Sequence, residues 1–229
     1  MSFSDKKRKP SMMAGICRML FNYGKDLGLL SDNPFENLRI GKPPARTAVW
    51  KAETIQCAIN TANELKMPSV GLAIQMALDT GQRAGDLRLL TWSNYNGVTI
   101  KFRQSKTNVW IEVPVMKSLQ KMLDMTDKQS PTILINEATK KPYNKDLLCR
   151  KFREVCEKAE IGSDLQFRDL RRTAVVRLAE HGCTNAEIAA ITGHSIERTS
   201  SILDVYLPRN SKMAANAIAK MEKLETNLV

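Results

Sequence analysis

The sequence predicts a mainly α fold with a small antiparallel β-sheet at one edge. Three observations carry this. Apolar residues recur at three- and four-residue spacing through most of the chain, two β-rich runs flank one short polar turn, and Gly, Pro and Asn sit where such helices should stop.

Residues 1–10 carry Lys6, Lys7, Arg8 and Lys9 and are expected to be a disordered basic tail. Ser11 is placed to cap a helix through Leu30, with Ile16, Met19, Leu20, Tyr23 and Leu27 on one side and Asn33-Pro34 as its stop. The segment 11–38 is followed by a polar, proline-containing stretch, 39–48, that reads as a linker. Two helices are expected next, Lys51–Lys66 and Pro68–Asp79, the second with proline in its first turn, where a missing N–H costs nothing. Gly81 ends the second, and Arg83 opens a short helix with Asp86 one turn on.

The runs VTIKF (98–102) and VWIEV (109–113) predict a hairpin with Lys106 at its tip. A helix to Met125 and a third strand, TILI (132–135), follow. Asn144 should cap a helix to Ala159, with Leu147, Leu148, Phe152, Val155 and Cys156 inward and Lys145, Arg150, Lys151 and Arg153 outward. Phe167, Leu170, Ala174 and Leu178 make the next apolar face, with Arg168 and Arg171 together on its flank, where two guanidinium forks invite an oxyanion. Thr184 with Glu187 forms a capping box, Gly193 stops that helix, and His194 lies just beyond. Tyr206 falls on a further short helix, and Ser211–Glu225 reads as an amphipathic terminal helix within the segment 209–229.

With 35 Lys and Arg against 24 Asp and Glu, the formal charge is +11, which favours a polyanionic partner, nucleic acid above all. The five cysteines have no C-x-x-C pairing and there are only two histidines, so no metal site is expected; the thiols read as buried and reduced. No stretch approaches a membrane span or a secretory signal, which points to the cytoplasm.

The order of these residues resembles the tyrosine recombinases of the phage-integrase family. TGQRAGDLRLL looks like the family's first box, with Arg83 its arginine and Asp86 the acidic residue three positions on. Lys106 in QSKT is similar to the family's hairpin lysine, FRDLRRT resembles the second box at Asp169 to Thr173, and Gly193-His194 before Tyr206 resembles the last. The resemblance runs from about Val49 to Leu207, so 49–208 would be the catalytic domain and 11–38 the last helix of a core-binding domain.

The resemblance implies a site-specific recombinase, an integrase of a phage or other mobile element, with no cofactor and no metal. Tyr206 would be the nucleophile and form a 3′-phosphotyrosyl intermediate. Arg83, Arg171 and His194 would hold the phosphate, Lys106 would protonate the leaving oxygen, and Asp86 would support Arg83. Lys145, Arg150 and Arg172 would contact DNA. The implied partners are double-stranded DNA, three further copies in a homotetramer on DNA from a monomer off it, and an accessory directionality factor; the terminal helix would dock on a neighbouring protomer.

Two departures stand out. The family's usual His at the start of the second box is Arg168, which cannot accept a proton and reads as a third cation on the phosphate. The gap from His194 to Tyr206 is long, implying an added helical turn. Other readings are a catalytically impaired DNA-binding protein, a chromosome-dimer resolvase, and a regulator in which TNAEIAAITGHS is a helix-turn-helix.

Overall fold

Glycine at positive φ decides where several of the described helices stop. In the computed structural model, which describes residues 3–39, 46–206, 214–215, 218–219 and 221–222, the chain divides into two units, Met1–Thr47 and Ala48–Val229.

In the first unit α1 spans Phe3–Asp26. It begins ahead of the predicted Ser11, because a run of Lys and Arg is polar without being helix-breaking, and Pro10 is carried in its interior at the loss of one backbone bond. It also ends before the predicted Leu30. Gly28 takes φ +70°, and Leu29 N donates to Gly24 O at 2.9 Å, closing the helix without help from Asn33-Pro34. Asn33 instead folds the tail back, its Nδ2 donating to Arg18 O at 3.1 Å and to Asn22 Oδ1 at 2.6 Å. Phe21 and Phe35 meet edge to face at 4.9 Å.

The second unit is built round α3, Pro68–Thr80, which is buried on nearly every side and packs against α2 (Ala52–Glu64) and later helices. Alanines at positions 58, 62, 73 and 77 are wholly buried, so the α2 and α3 backbones approach closely. Gly81, at φ +65°, caps α3 and turns the chain into α4, Ala84–Leu87.

The sheet has two antiparallel strands, β1 (Thr99–Arg103) and β2 (Trp110–Pro114). Their register pairs Ile100 with Val113 and Phe102 with Ile111 toward the core, and Lys101 with Glu112 outward in a 3.5 Å ion pair. The predicted third strand, TILI, forms no ladder. Its two ends make only isolated bridges, Thr132 to Thr91 and Ile135 to Pro142, because its neighbours are the irregular chain around a 3-10 turn at Trp92–Asn94 and a turn ahead of Asn144; the run still buries Ile133, Leu134 and Ile135.

Helices α5 (Lys117–Asp124), α6 (Lys145–Lys158) and α7 (Phe167–Glu180) complete the main core. Asn144 caps α6 as expected, accepting from Leu147 N at 2.7 Å. Helices α8 (Asn185–Thr192) and α9 (Ile196–Tyr206) close over a second, smaller cluster, Val175, Ala179, Ile188 and Ile202. The thiols are not uniformly buried. Cys156 is, and burial pushes it up to about 11, but Cys57 and Cys149 are exposed, since they lie on the outer arcs of α2 and α6. The predicted terminal helix lies mostly outside the described residues, as does most of the linker. Among the described residues no helix is long and apolar enough to cross a membrane, and no group of His, Cys, Asp and Glu is arranged to hold a metal.

Candidate functional site

A cleft of about 890 Å³ opens between α4, the β1–β2 turn, α6 and the start of α7. Arg83, Arg88, Lys106, Lys145, Arg153, Arg168 and Arg171 line it with a single carboxylate, Asp86. Cations in that excess concentrate anions in the cleft. Its apolar wall is set by aromatic stacking. Phe152 of α6 meets Phe167 of α7 at 5.1 Å and Trp50 at 5.8 Å, and Trp50 holds α7 at two points, its N donating to Thr173 Oγ1 at 3.0 Å and its Nε1 to Gln166 O at 3.3 Å.

Arg83 caps α4, and its Nη1 stands 3.7 Å from Oδ2 of the nearly buried Asp86. Asp86 Oδ1 accepts from Ser105 N at 3.0 Å, tying the turn that carries Lys106 to the arginine. Lys106 itself is exposed at the cleft edge.

Arg171 is 8% exposed and almost fully engaged. Its Nη1 donates to Gly81 O at 2.7 Å and to Gln82 Oε1 at 3.3 Å, and its Nε donates to His194 Nε2 at 3.0 Å. Nη2 is buried without a hydrogen-bond partner, and so is Nη1 of Arg83 beyond its ion pair. Such buried donors are rare in folded proteins, and here both belong to residues lining one cationic cleft. Burial and the nearby Arg83 cation push Arg171 down to about 9, which leaves it charged at neutral pH.

His194 stands behind Arg171 and not among the cleft-lining residues. Burial first, then the cations of Arg171, Arg83 and Arg198, lower it to about 3, so the ring is neutral. Its Nε2 accepts from Arg171 in this arrangement, the opposite sense from the phosphate donation the sequence suggests.

Beneath these groups lies a buried polar network that sequence reasoning missed. Gln104 Nε2 donates to Gln82 Oε1 at 2.5 Å and to Thr192 O at 2.9 Å, and Gln82 Nε2 donates to Thr80 O at 2.8 Å and Ile191 O at 3.0 Å. It joins the Arg83 turn, the hairpin and the His194 turn. Gln82 adjoins Arg83 and Gln104 lies two residues before Lys106, which was the available signal. Arg88 was also missed: it lines the cleft with its Nε buried and unpartnered.

The remaining predicted residues divide. Arg168 is exposed on the cleft rim, and Lys145 lines the cleft. Arg150 is exposed on α6 outside it. Arg172 is turned elsewhere, 3.5 Å from Asp169 Oδ1, with the Tyr206 ring 5.5 Å from its guanidinium carbon. Tyr206 ends α9, half-buried against the smaller cluster, and does not line the cleft.

The model of the phage integrase family matches residues 50–209. Among solved structures, a lambda integrase dimer bound to a COC′ core site superposes with a TM-score of 0.77 at 22% identity, over 90% of this chain and 61% of that one. The chain therefore spans about three fifths of that integrase's length. XerA recombinase matches with a TM-score of 0.62 at 16% identity, over 94% of this chain and 78% of that one. The catalytic domain of bacteriophage HP1 integrase matches with a TM-score of 0.56 at 24% identity, over 71% and 90%. At these identities the likeness shows a shared fold. No curated protein matches the chain by sequence.

Proposed function

Since the chain belongs to the phage integrase family, whose model covers residues 50–209, we propose that it cuts and rejoins DNA at specific sites through a 3′-phosphotyrosyl intermediate. The observation that carries the reading is the pair of buried donors without a hydrogen bond, Arg171 Nη2 and Arg83 Nη1, on two arginines of a cleft lined by seven cations. A phosphodiester under attack gains charge on its nonbridging oxygens, and preorganised donors favour that state over the ground state.

In this mechanism the Tyr206 oxygen attacks phosphorus, and the bond from phosphorus to the 5′ oxygen breaks. Lys106, on the turn held by Asp86, gives the leaving oxygen its proton. Arg171 and Arg83 bind the nonbridging oxygens, and Arg168 adds charge from the rim. Arg168 cannot take the tyrosine's proton, and His194, held neutral by burial and three cations, is a poor acceptor; water takes it. Tyr206 packs on Arg172 outside the cleft, so α9 shifts before attack. The hydroxyl of a second strand then reverses the chemistry with the bond energy conserved.

Action on the attachment site of a phage or other mobile element, assembly as a homotetramer on DNA, an accessory directionality factor, and a cytoplasmic setting belong to the same proposal. So do DNA contacts by Lys145, Arg150 and Arg172, and the reading of 11–38 as part of a core-binding domain. The solved relatives include an integrase tetramer bound to a Holliday junction, which supports the tetrameric reading.

The test is covalent trapping on a nicked suicide substrate carrying the element's attachment site, with Tyr206→Phe alongside. A protein–DNA band that disappears in the variant is expected. Stable DNA binding with no band in the natural sequence would instead favour a catalytically impaired DNA-binding protein.

A further inference from the structure

Thr192 is wholly buried at the end of α8, and its hydroxyl makes two contacts. A threonine hydroxyl has one proton to give and lone pairs to accept with. The Ile188 carbonyl, 2.7 Å away, can only accept, so it takes that proton. The 3.0 Å contact with His194 Nδ1 must then run the other way, with Nδ1–H donating to Oγ1. On the far side of the ring, Arg171 Nε–H stands 3.0 Å from Nε2, which therefore presents its lone pair. Partners of fixed sense thus assign both ring nitrogens.

The consequence falls on Arg171. Its Nε is held by His194 and its Nη1 by Gly81 O, which leaves Nη2 as the one nitrogen without a partner. Were His194 the other tautomer, Nε2–H would face Nε–H, and the guanidinium would lose the contact that sets its rotation.

We propose that Thr192 is a positioning residue of this site, its hydroxyl holding His194 as the Nδ1–H tautomer so that the imidazole orients Arg171 with Nη2 toward the phosphate. The chain Ile188 carbonyl, Thr192 hydroxyl, His194 ring and Arg171 guanidinium acts as one rigid relay. Its catalytic consequence rests on the recombinase reading; the tautomer does not. The Thr192 carbonyl, held by Gln104 at 2.9 Å, survives any side-chain change, so substitution tests the hydroxyl alone.

The full chain is labelled with ¹⁵N-histidine, and long-range ¹H–¹⁵N spectra are recorded at neutral pH. Only two histidines exist, so His181→Gln assigns the signals. The natural sequence and Thr192→Ser should both show His194 protonated at Nδ1 and bare at Nε2. Thr192→Val should move it to the other tautomer or into exchange between the two. A natural protein with Nε2–H, or a Thr192→Val spectrum unchanged from it, overturns the proposal; the former does so even where the valine variant fails to fold. On a suicide substrate, Thr192→Val should cleave at least about tenfold more slowly with DNA affinity within about twofold, and Thr192→Ser should restore most of the rate. Equal cleavage by the valine variant also overturns it. If the natural protein forms no covalent complex, the recombinase reading fails, while the spectra still judge the tautomer.

Discussion

Asp86 Oδ1 accepts the backbone N–H of Ser105 at 3.0 Å while its Oδ2 faces Arg83 Nη1 at 3.7 Å. One carboxylate, 5% exposed, thereby couples Arg83 to the turn that carries Lys106. Removing it leaves Arg83 without its counter-charge and the turn without its anchor. Asp86→Ala should cost about 3 kcal/mol of stability and lower cleavage by a hundredfold or so. Asp86→Asn keeps an oxygen for Ser105 and should lose less of both. Denaturant midpoints and single-turnover cleavage provide the check, and an alanine variant within twofold of the natural rate would refute the coupling.

Lys106 is assigned the leaving-group proton, and that assignment has a chemical signature. Replacing the bridging 5′ oxygen with sulfur gives a leaving group that needs no proton. Lys106→Ala should therefore slow cleavage of ordinary DNA by about 10²–10⁴-fold and leave cleavage of the 5′-phosphorothiolate nearly unchanged. Equal loss on both substrates would mean that Lys106 only binds DNA.

The Tyr206 ring lies 5.5 Å from the Arg172 guanidinium carbon, outside the cleft. A contact of this kind is worth about 0.5–1 kcal/mol at a partly exposed site. If undocking precedes attack, Arg172→Ala should raise the cleavage rate at saturating DNA by about two- to fivefold, the same energy expressed as a rate. It should also speed hydrogen exchange across the last turn of α9. A slower rate at saturation would assign Arg172 a direct part in catalysis.

His194 is lowered from 6.5 to about 3 by burial and by the Arg171, Arg83 and Arg198 cations. The unfolded chain binds this proton near its ordinary value while the folded chain refuses it, so the unfolded state holds more protons between the two values. Stability from keeping the ring neutral is present above pH 6.5 and is lost as pH falls from there toward about 3. The melting temperature of the natural protein should drop more steeply between pH 6.5 and 5 than that of His194→Gln. Parallel curves would place the ring in a far more solvated setting.

Much of this molecule is legible in local pattern. The α6 cap at Asn144, the Thr184–Glu187 box and the Gly193 stop form as the residues predict, because capping is satisfied within one turn of chain. The hairpin is likewise a local matter, with inward residues alternating along VTIKF and VWIEV. Two elements depart from it. TILI has the composition of a strand but no straight neighbour to pair with, and the lysine-rich start of α1 has the polarity of a solvated tail although lysine and arginine are good helix formers.

The sequence by itself determined which side chains were available: Arg83, Lys106, Arg168, Arg171, His194 and Tyr206 follow one another in family order on elements whose periods and caps are local. Tertiary structure alone decided how they are used. Gln82, Gln104 and Thr192 are polar and look like surface residues until three segments far apart in the chain close over them and exchange hydrogen bonds. The same closure makes His194 an acceptor, leaves Arg171 Nη2 without a protein partner, and stations Tyr206 over Arg172. Burial and hydrogen-bond direction depend on groups distant in sequence, and no periodicity encodes them.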